Sequence, residues 1–260
     1  MKKILSLTLL GIILNLSLTS CKKDTPDEPV PPTTQGKKLI GYMDSDGNAI
    51  SSVTYDERGR ISFIAGTAID DETKQRVTTN ITYRYTNDSI KVSVNGDAGN
   101  LMASLKYKLD EKHRIIKAII TEFDEDDPEV YAFFYDKHNQ LVRISSDDES
   151  SETITWREGN ISSVATREDG STSIEKYTYT DYSAKHFISL GAIFGTPEML
   201  GVESCLFMQG YYGTYPKNLI KGQFGGNGYS ELTFTYELDA DGYVTKASDS
   251  KGANCMFFWK

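Results

Sequence analysis

The stretch that most restricts the fold of this chain is Tyr55-Asp56-Glu57-Arg58-Gly59-Arg60-Ile61, because altered copies of it return along most of the sequence. It reads as a β-hairpin tip. An aromatic residue closes one strand, and the short acceptor side chain of Asp56 opens a turn. Gly59 supplies a positive φ, and Ile61 begins the return strand. Aligned on the aspartate, the copies are Asp110-Glu-Lys-His113-Arg-Ile115, Asp136-Lys-His-Asn139-Gln-Leu141 and Asp239-Ala-Asp-Gly242-Tyr-Val244. Their fourth slot holds Gly, His, Asn or Gly, residues that tolerate a left-handed backbone better than most. Two further copies, ending at Ile90 and Ile161, are one residue shorter and predict tighter turns.

Between these tips the apolar residues alternate. Ile81, Tyr83 and Tyr85 share one face and Thr82, Arg84 and Thr86 the other. Leu105, Tyr107 and Leu109 likewise oppose Lys106, Lys108 and Asp110. A period of two with one polar face predicts half-buried antiparallel strands. The chain therefore reads as all-β: a long antiparallel meander of hairpins with about a dozen strands or more, strongly curled or closed into a barrel-like sheet. The rhythm fails over residues 183–228, where Leu190 to Met208 is apolar without alternation and Pro197-Glu198-Met199-Leu200 offers the start of a short helix capped by Thr196. An irregular or helical insert there is expected to plug or cap the sheet.

Three segments precede or make up this meander. Residues 1–20 carry a basic start, Lys2-Lys3, and a short apolar run from Ile4 to Leu16, the pattern of a signal peptide. Leu18-Thr19-Ser20-Cys21 resembles the lipobox of bacterial lipoproteins, which implies cleavage before Cys21 and lipidation of that cysteine. Residues 21–36 hold four of the seven prolines and almost nothing apolar, the composition of a disordered tether. Residues 37–260 then form a single all-β domain. Removing Lys2 and Lys3 leaves 26 basic against 37 acidic residues, a formal charge of −11, so nucleic acid is not an expected partner. Cys205 and Cys255 are far apart in sequence and read as separate buried small hydrophobes rather than a disulfide.

The Tyr-Asp-x-x-Gly-Arg-Ile tip, its copies, and Gly213-Thr-Tyr-Pro-Lys-Asn-Leu-Ile220 together resemble a family of Bacteroidota lipoproteins of unknown function with a porin-like fold. They are also similar to the Tyr-Asp repeats of large bacterial surface and toxin shells. Ile220 departs from the family, which usually has proline there. The resemblance implies a curled or closed sheet and no activity. The acidic residues that follow Cys21 are similar to the surface-export signals of Bacteroidota lipoproteins, which implies an outer-membrane, cell-surface setting, with a periplasm-facing orientation as the alternative.

No catalytic pattern stands out. Of the three histidines, His113 and His138 sit in hairpin tips, and His186 has no nucleophile elbow near it. The acidic runs Asp124–Asp127 and Asp147–Glu149 lack the spacing of a calcium loop and read as solvated turns. No metal site and no cofactor are expected. Tyr211, Tyr212 and Tyr215, in the insert, are candidates to line a pocket for a sugar or an apolar molecule; the alternative is that they seal the end of the sheet. The expected function is a non-catalytic lipoprotein anchored through Cys21 and acting as a binding or surface-interaction module. Its partner would be a glycan, a small apolar ligand or an envelope protein. Two alternatives are a hydrolase of envelope or dietary polymers, using carboxylates that only the fold brings together, and a purely structural envelope component.

Overall fold

The computed structural model describes residues 36–69, 75–96, 99–123, 127–147, 150–185, 202–226 and 231–260. Sixteen strands follow one another as β1 (Leu39–Asp44), β2 (Ala49–Tyr55), β3 (Ile61–Ile69), β4 (Arg76–Tyr85), β5 (Ser89–Asn95), β6 (Leu101–Leu109), β7 (Ile115–Glu122) and β8 (Glu129–Tyr135). The second half comprises β9 (Leu141–Ser146), β10 (Ser151–Arg157), β11 (Asn160–Glu168), β12 (Ser171–Ser183), β13 (Asn218–Gly225), β14 (Leu232–Leu238), β15 (Val244–Asp249) and β16 (Asn254–Trp259). Among the described residues one helix, α1 (Val202–Met208), lies between β12 and β13. Each strand pairs antiparallel with its neighbours in sequence, and β1 pairs with β16, so the meander closes into a barrel. Closure leaves no free strand edge.

The repeated tips share one end. At each, the aspartate makes the same bonds: Asp56 Oδ1 accepts the backbone N–H groups of Arg58 (2.9 Å) and Arg60 (2.8 Å), and Asp110, Asp136 and Asp239 do likewise in their own turns. The fourth slot is left-handed in every one, with φ of 78° at Gly59, 57° at His113, 65° at Asn139 and 80° at Gly242. The shorter copy at Glu158-Gly159 has two positive φ values, 54° and 83°, as a two-residue type I′ turn requires. Asp44 and Asp249 build the same turn at the opposite end, between β1 and β2 and between β15 and β16.

Just beyond the tips the register slips. Thr54 faces Phe63 but Tyr55 faces Ile61, which leaves Ser62 as a bulge; β6/β7, β8/β9, β10/β11 and β14/β15 slip at the same place. The bulge turns two residues three apart to the same side, so Ile61 and Ile64 both point inward, as do Leu141 and Ile144, and Ile161 and Val164.

The inward rows form one continuous cluster that includes Ile64, Ile90, Val94, Leu105, Tyr107, Ile115, Leu141, Ile161 and Leu219, all nearly inaccessible to solvent. Sixteen strands around an open lumen would leave such side chains in contact with water. Here they are packed away from it. The outward faces are polar instead: Arg84 pairs with Lys91, Lys91 with Lys106, and Lys108 with Lys117. A bilayer-spanning barrel has the reverse arrangement, an apolar belt outside and a polar interior.

Candidate functional site

The end of the barrel that carries the repeated tips is closed from within. In helix α1, Val202, Ser204, Cys205, Leu206, Phe207 and Met208 are all buried, which suits a helix packed against the sheet. It stops at Gly210 (φ 88°), where the Tyr211 N–H bonds the Leu206 carbonyl and the Gly210 N–H bonds that of Phe207. The chain then runs under the hairpin roots and bonds them in turn. Gln209 Oε1 accepts the Ile61 N–H at 2.8 Å, the Tyr211 carbonyl accepts the Ile115 N–H at 2.8 Å, and the Thr214 and Lys217 N–H groups reach the carbonyls of Asn139 and Gly159.

The strand-closing aromatics complete this lattice. Each reaches back to a carbonyl at or near the start of an earlier strand: Tyr55 to Leu39, Tyr85 to Ile61, Tyr135 to Ile115, Trp156 to Leu141, Tyr179 to Ile161, Tyr236 to Ile220 and Trp259 to Val244, at 2.6–2.8 Å. Arg60 and Arg114, each bonded to the aspartate of its own tip, stack on Tyr85 and Tyr135 with the guanidinium carbon 4.3 and 4.2 Å from the ring centroid. The Tyr-Asp-x-x-Gly-Arg-Ile unit thus works as a structural clamp through its tyrosine, aspartate and arginine.

Tyr211 and Tyr212 lie in this packed region. Tyr211 stacks on Tyr85 at 5.8 Å, and Tyr212 meets Phe133 and Phe207 at 5.4 and 5.9 Å. Tyr215 sets its ring edge against Phe207, and its hydroxyl donates to the Met208 carbonyl at 2.8 Å. Tyr211 and Tyr212 are buried, and Tyr215 is partly buried against the same core. A cleft beside them, between Lys38, Tyr55, Gln209, Tyr243 and Trp259, measures about 40 Å³, far below the size of a ligand pocket.

His113 and His138 fall in turns, as their place in the repeat requires. Cys205 and Cys255 are both buried and both free thiols; Cys255 Sγ lies 3.3 Å from the Tyr42 hydroxyl. Cys21, His186, the helix start at Pro197–Leu200, and most of the two acidic runs lie outside the described residues. Among the described residues no group of three or more His, Cys, Asp or Glu side chains is placed to hold a metal ion.

The opposite end of the barrel contains what the sequence did not single out. Glu152 on β10 shares the inward face with Ile154, and Glu175 on β12 shares it with Tyr177. Glu175 Oε2 accepts the Tyr177 hydroxyl at 2.5 Å and Gln223 Nε2 at 3.2 Å, while its other oxygen lies over Gly226, where a Cβ would stand only 2.8 Å away. Glu152 Oε2 is shielded from solvent and has no hydrogen-bond partner. Burial, with the Glu175 carboxylate beside it, pushes the Glu152 carboxyl up to about 7. Burial and the Glu175 bond also push the Tyr177 phenol far upward. On β8 a similar pair occurs, Tyr131 donating to Glu129 at 2.8 Å. No spacing rule links residues 152 and 175, which stand on either side of β11, Glu152 opposite Thr166 and Glu175 opposite Val164.

A closed antiparallel barrel with an apolar interior and a polar wall is the class this geometry defines. The chain belongs to the family described as "Domain of unknown function (DUF4595) with porin-like fold", whose model matches residues 53–246. No curated protein sequence matches it. Among solved structures it is similar to a porin-like protein from Bacteroides uniformis, at 17% identity and a TM-score of 0.65, over 90% of this chain and 100% of that one. A porin-like protein from Bacteroides vulgatus aligns at 13% identity and a TM-score of 0.43, over 85% of this chain and 97% of that one. At these identities the first likeness concerns the fold alone.

Proposed function

We propose that the protein is a non-catalytic lipoprotein, held at the outer membrane through Cys21 and displayed on its tether at the cell surface, where it acts as an interaction module for another envelope protein. The observation that carries this reading is an apolar patch on the outer wall where β1 meets β16. Ile40, Met43, Met256 and Phe258 are all exposed there; Met43 faces Met256 across the seam, and Phe258 faces Gly41. Leu101, Phe123, Phe134, Ile174 and Tyr182 are exposed as well, but the four at the seam lie together on two paired strands. A contiguous apolar patch on a polar wall is the usual mark of a protein contact. It lies on the strand that directly follows the tether, so an anchored barrel would present it close to the membrane-attached side.

Replacing Phe258 and Met256 with aspartate tests this in the full, membrane-borne chain. Cross-linking to a neighbouring envelope protein is expected in the parent and absent in the variant, with unchanged thermal stability. Equal cross-linking in both would reject the patch. Cys21→Ala is expected to move the protein from the membrane fraction to the soluble fraction; retention in the membrane would reject the anchor.

A second reading, hydrolysis of a glycosidic polymer, draws on one observation: Glu152 and Glu175 are neighbouring carboxyls in unlike settings, one retaining its proton near neutrality and one bonded as an acceptor. Reducing-sugar release from envelope polysaccharides, lost in Glu175→Gln, would support it; no release from any such polymer would remove it.

A further inference from the structure

We propose that the Glu152–Glu175 pair binds an organic cation bearing a primary ammonium group, which enters from the end of the barrel opposite the repeated tips. This inference goes beyond the protein contact proposed for the β1–β16 seam and does not depend on it.

The site is built rather than incidental. Glu175 is fixed by the Tyr177 hydroxyl and the Gln223 amide, both on the same oxygen, and Gly226 (φ 86°) lets the backbone lie against the other oxygen. Glu152 has the opposite character, a shielded oxygen that no donor reaches. A buried carboxylate without a donor is strongly unfavourable, so the group must either keep a proton or gain a cation. Among the described residues its neighbours offer no cation: the charged group beside it is Glu175, and the side chains at its own level on β9 and β11 are Ile144 and Thr166. A ligand must therefore supply the positive charge.

Chemistry narrows the class. A divalent metal needs several hard oxygen ligands in a closed shell, and no cluster of three such side chains exists among the described residues. An ammonium group needs less. Its three N–H donors match the Glu152 oxygen and the acceptor capacity left on Glu175. Binding balances as an exchange: the Glu152 carboxylic acid releases its proton to solvent, and the ammonium ion pairs with the carboxylate left behind. Capture should therefore strengthen as pH rises towards neutrality and level off above it.

The test is calorimetric titration of the full chain in mild detergent with n-butylammonium chloride, alongside n-butanol and calcium chloride. Saturable binding of the amine alone is expected at pH 7.5, about tenfold weaker for each unit of pH lowered beneath the Glu152 titration. Glu152→Gln keeps the shape of the side chain and is expected to bind at least tenfold more weakly with no pH slope. In the parent, carbon NMR of the Glu152 carboxyl should show its titration moving to lower pH on amine saturation, a readout that a purely structural role would not move. Equal affinity in Glu152→Gln, equal binding of butanol, preferential binding of calcium, or an unmoved carboxyl titration would each overturn the proposal. Loss of hydrolysis with intact amine binding would instead separate this inference from the hydrolase reading.

Discussion

At the scale of single residues, the repeated unit works through atoms that the bulge sets free. When Ser62 is squeezed out of register, the N–H and carbonyl of Ile61 lose their strand partners, and Gln209 and Tyr85 take them up. The same division serves Ile115, whose carbonyl is held by the Tyr135 hydroxyl at 2.7 Å. Tyr135→Phe removes one such bond while keeping the ring under Arg114, so a loss of about 1 kcal/mol in urea unfolding is expected. A change below the error of the measurement would mean that water replaces the phenol without penalty. Charge adds a second residue-scale prediction. Glu152 has its carboxyl raised from 4.5 to about 7 in the folded state, so the folded protein binds more protons than the unfolded chain between those values. Stability is therefore greatest below about pH 4.5 as far as this group is concerned, and falls as pH rises to about 7, by up to about 3 kcal/mol. Glu152→Gln should flatten that slope and be the more stable form at pH 8. Asp110 works in the opposite direction: desolvation pushes its carboxyl up, but the bonds from Arg114 and the backbone prevail and hold it below the usual range, so its contribution is lost in acid.

At the scale of elements, the plug decides how the barrel is sealed. Helix α1 is only seven residues long and is too short to be stable by itself. Burial of Leu206 and Phe207 and the bonds to the hairpin roots hold it. The chain that follows passes so close to β8 and β9 that Gly213 has no substitute: its φ is 82°, and a Cβ would stand 2.3 Å from the Asn139 carbonyl oxygen. Gly213→Ala should lower stability by about 2–4 kcal/mol, combining left-handed strain with displacement of the Thr214 to Asn139 bond. Thermal unfolding of the two forms measures this, and an unchanged midpoint would show that the plug can shift without loss. Element type was legible from the sequence in the strands and much less so here. Alternation marks a strand wherever one face is wet, but a segment buried on all sides shows no period to read. The helix at Val202–Met208 falls within the insert expected to be irregular or helical, but its bounds could not be read there.

At the scale of the whole molecule, closure is the central fact. The final strand pairs with the first, and a hairpin meander that did not close would expose the backbone of β1 and β16 along its edges. Deleting residues 254–260 is expected to turn a monodisperse protein into an aggregating one, read by size-exclusion chromatography; a soluble, folded fifteen-stranded form would show that closure is dispensable. The same scale separates this barrel from one that spans a bilayer. Rows such as Arg84, Lys91 and Lys106 run around its outside while Ile90, Val92 and Leu105 fill its inside. Its wall is therefore unlike that of a bilayer-spanning barrel.

Local chemistry was enough to determine the hairpins, their turn geometry and the all-β class, because Asp-x-x-Gly tips and period-two strands are set by neighbours a few residues apart. Asp44 and Asp249 carry the same signal and would have completed the set of turns. What the sequence could not determine was anything that depends on a bulge or on closure. One extra residue after each tip reverses the facing of everything beyond it, so the inward position of Ile64 or Ile144 does not follow from alternation counted from Ile61 or Leu141. The tyrosines of the insert were visible as a group, but only the closed sheet placed two of them in the core. The meeting of Glu152 with Glu175 likewise belongs to the tertiary structure. Residues on alternate strands become neighbours only when the sheet has curled, and the burial that keeps a proton on Glu152 exists only once the barrel has formed around it.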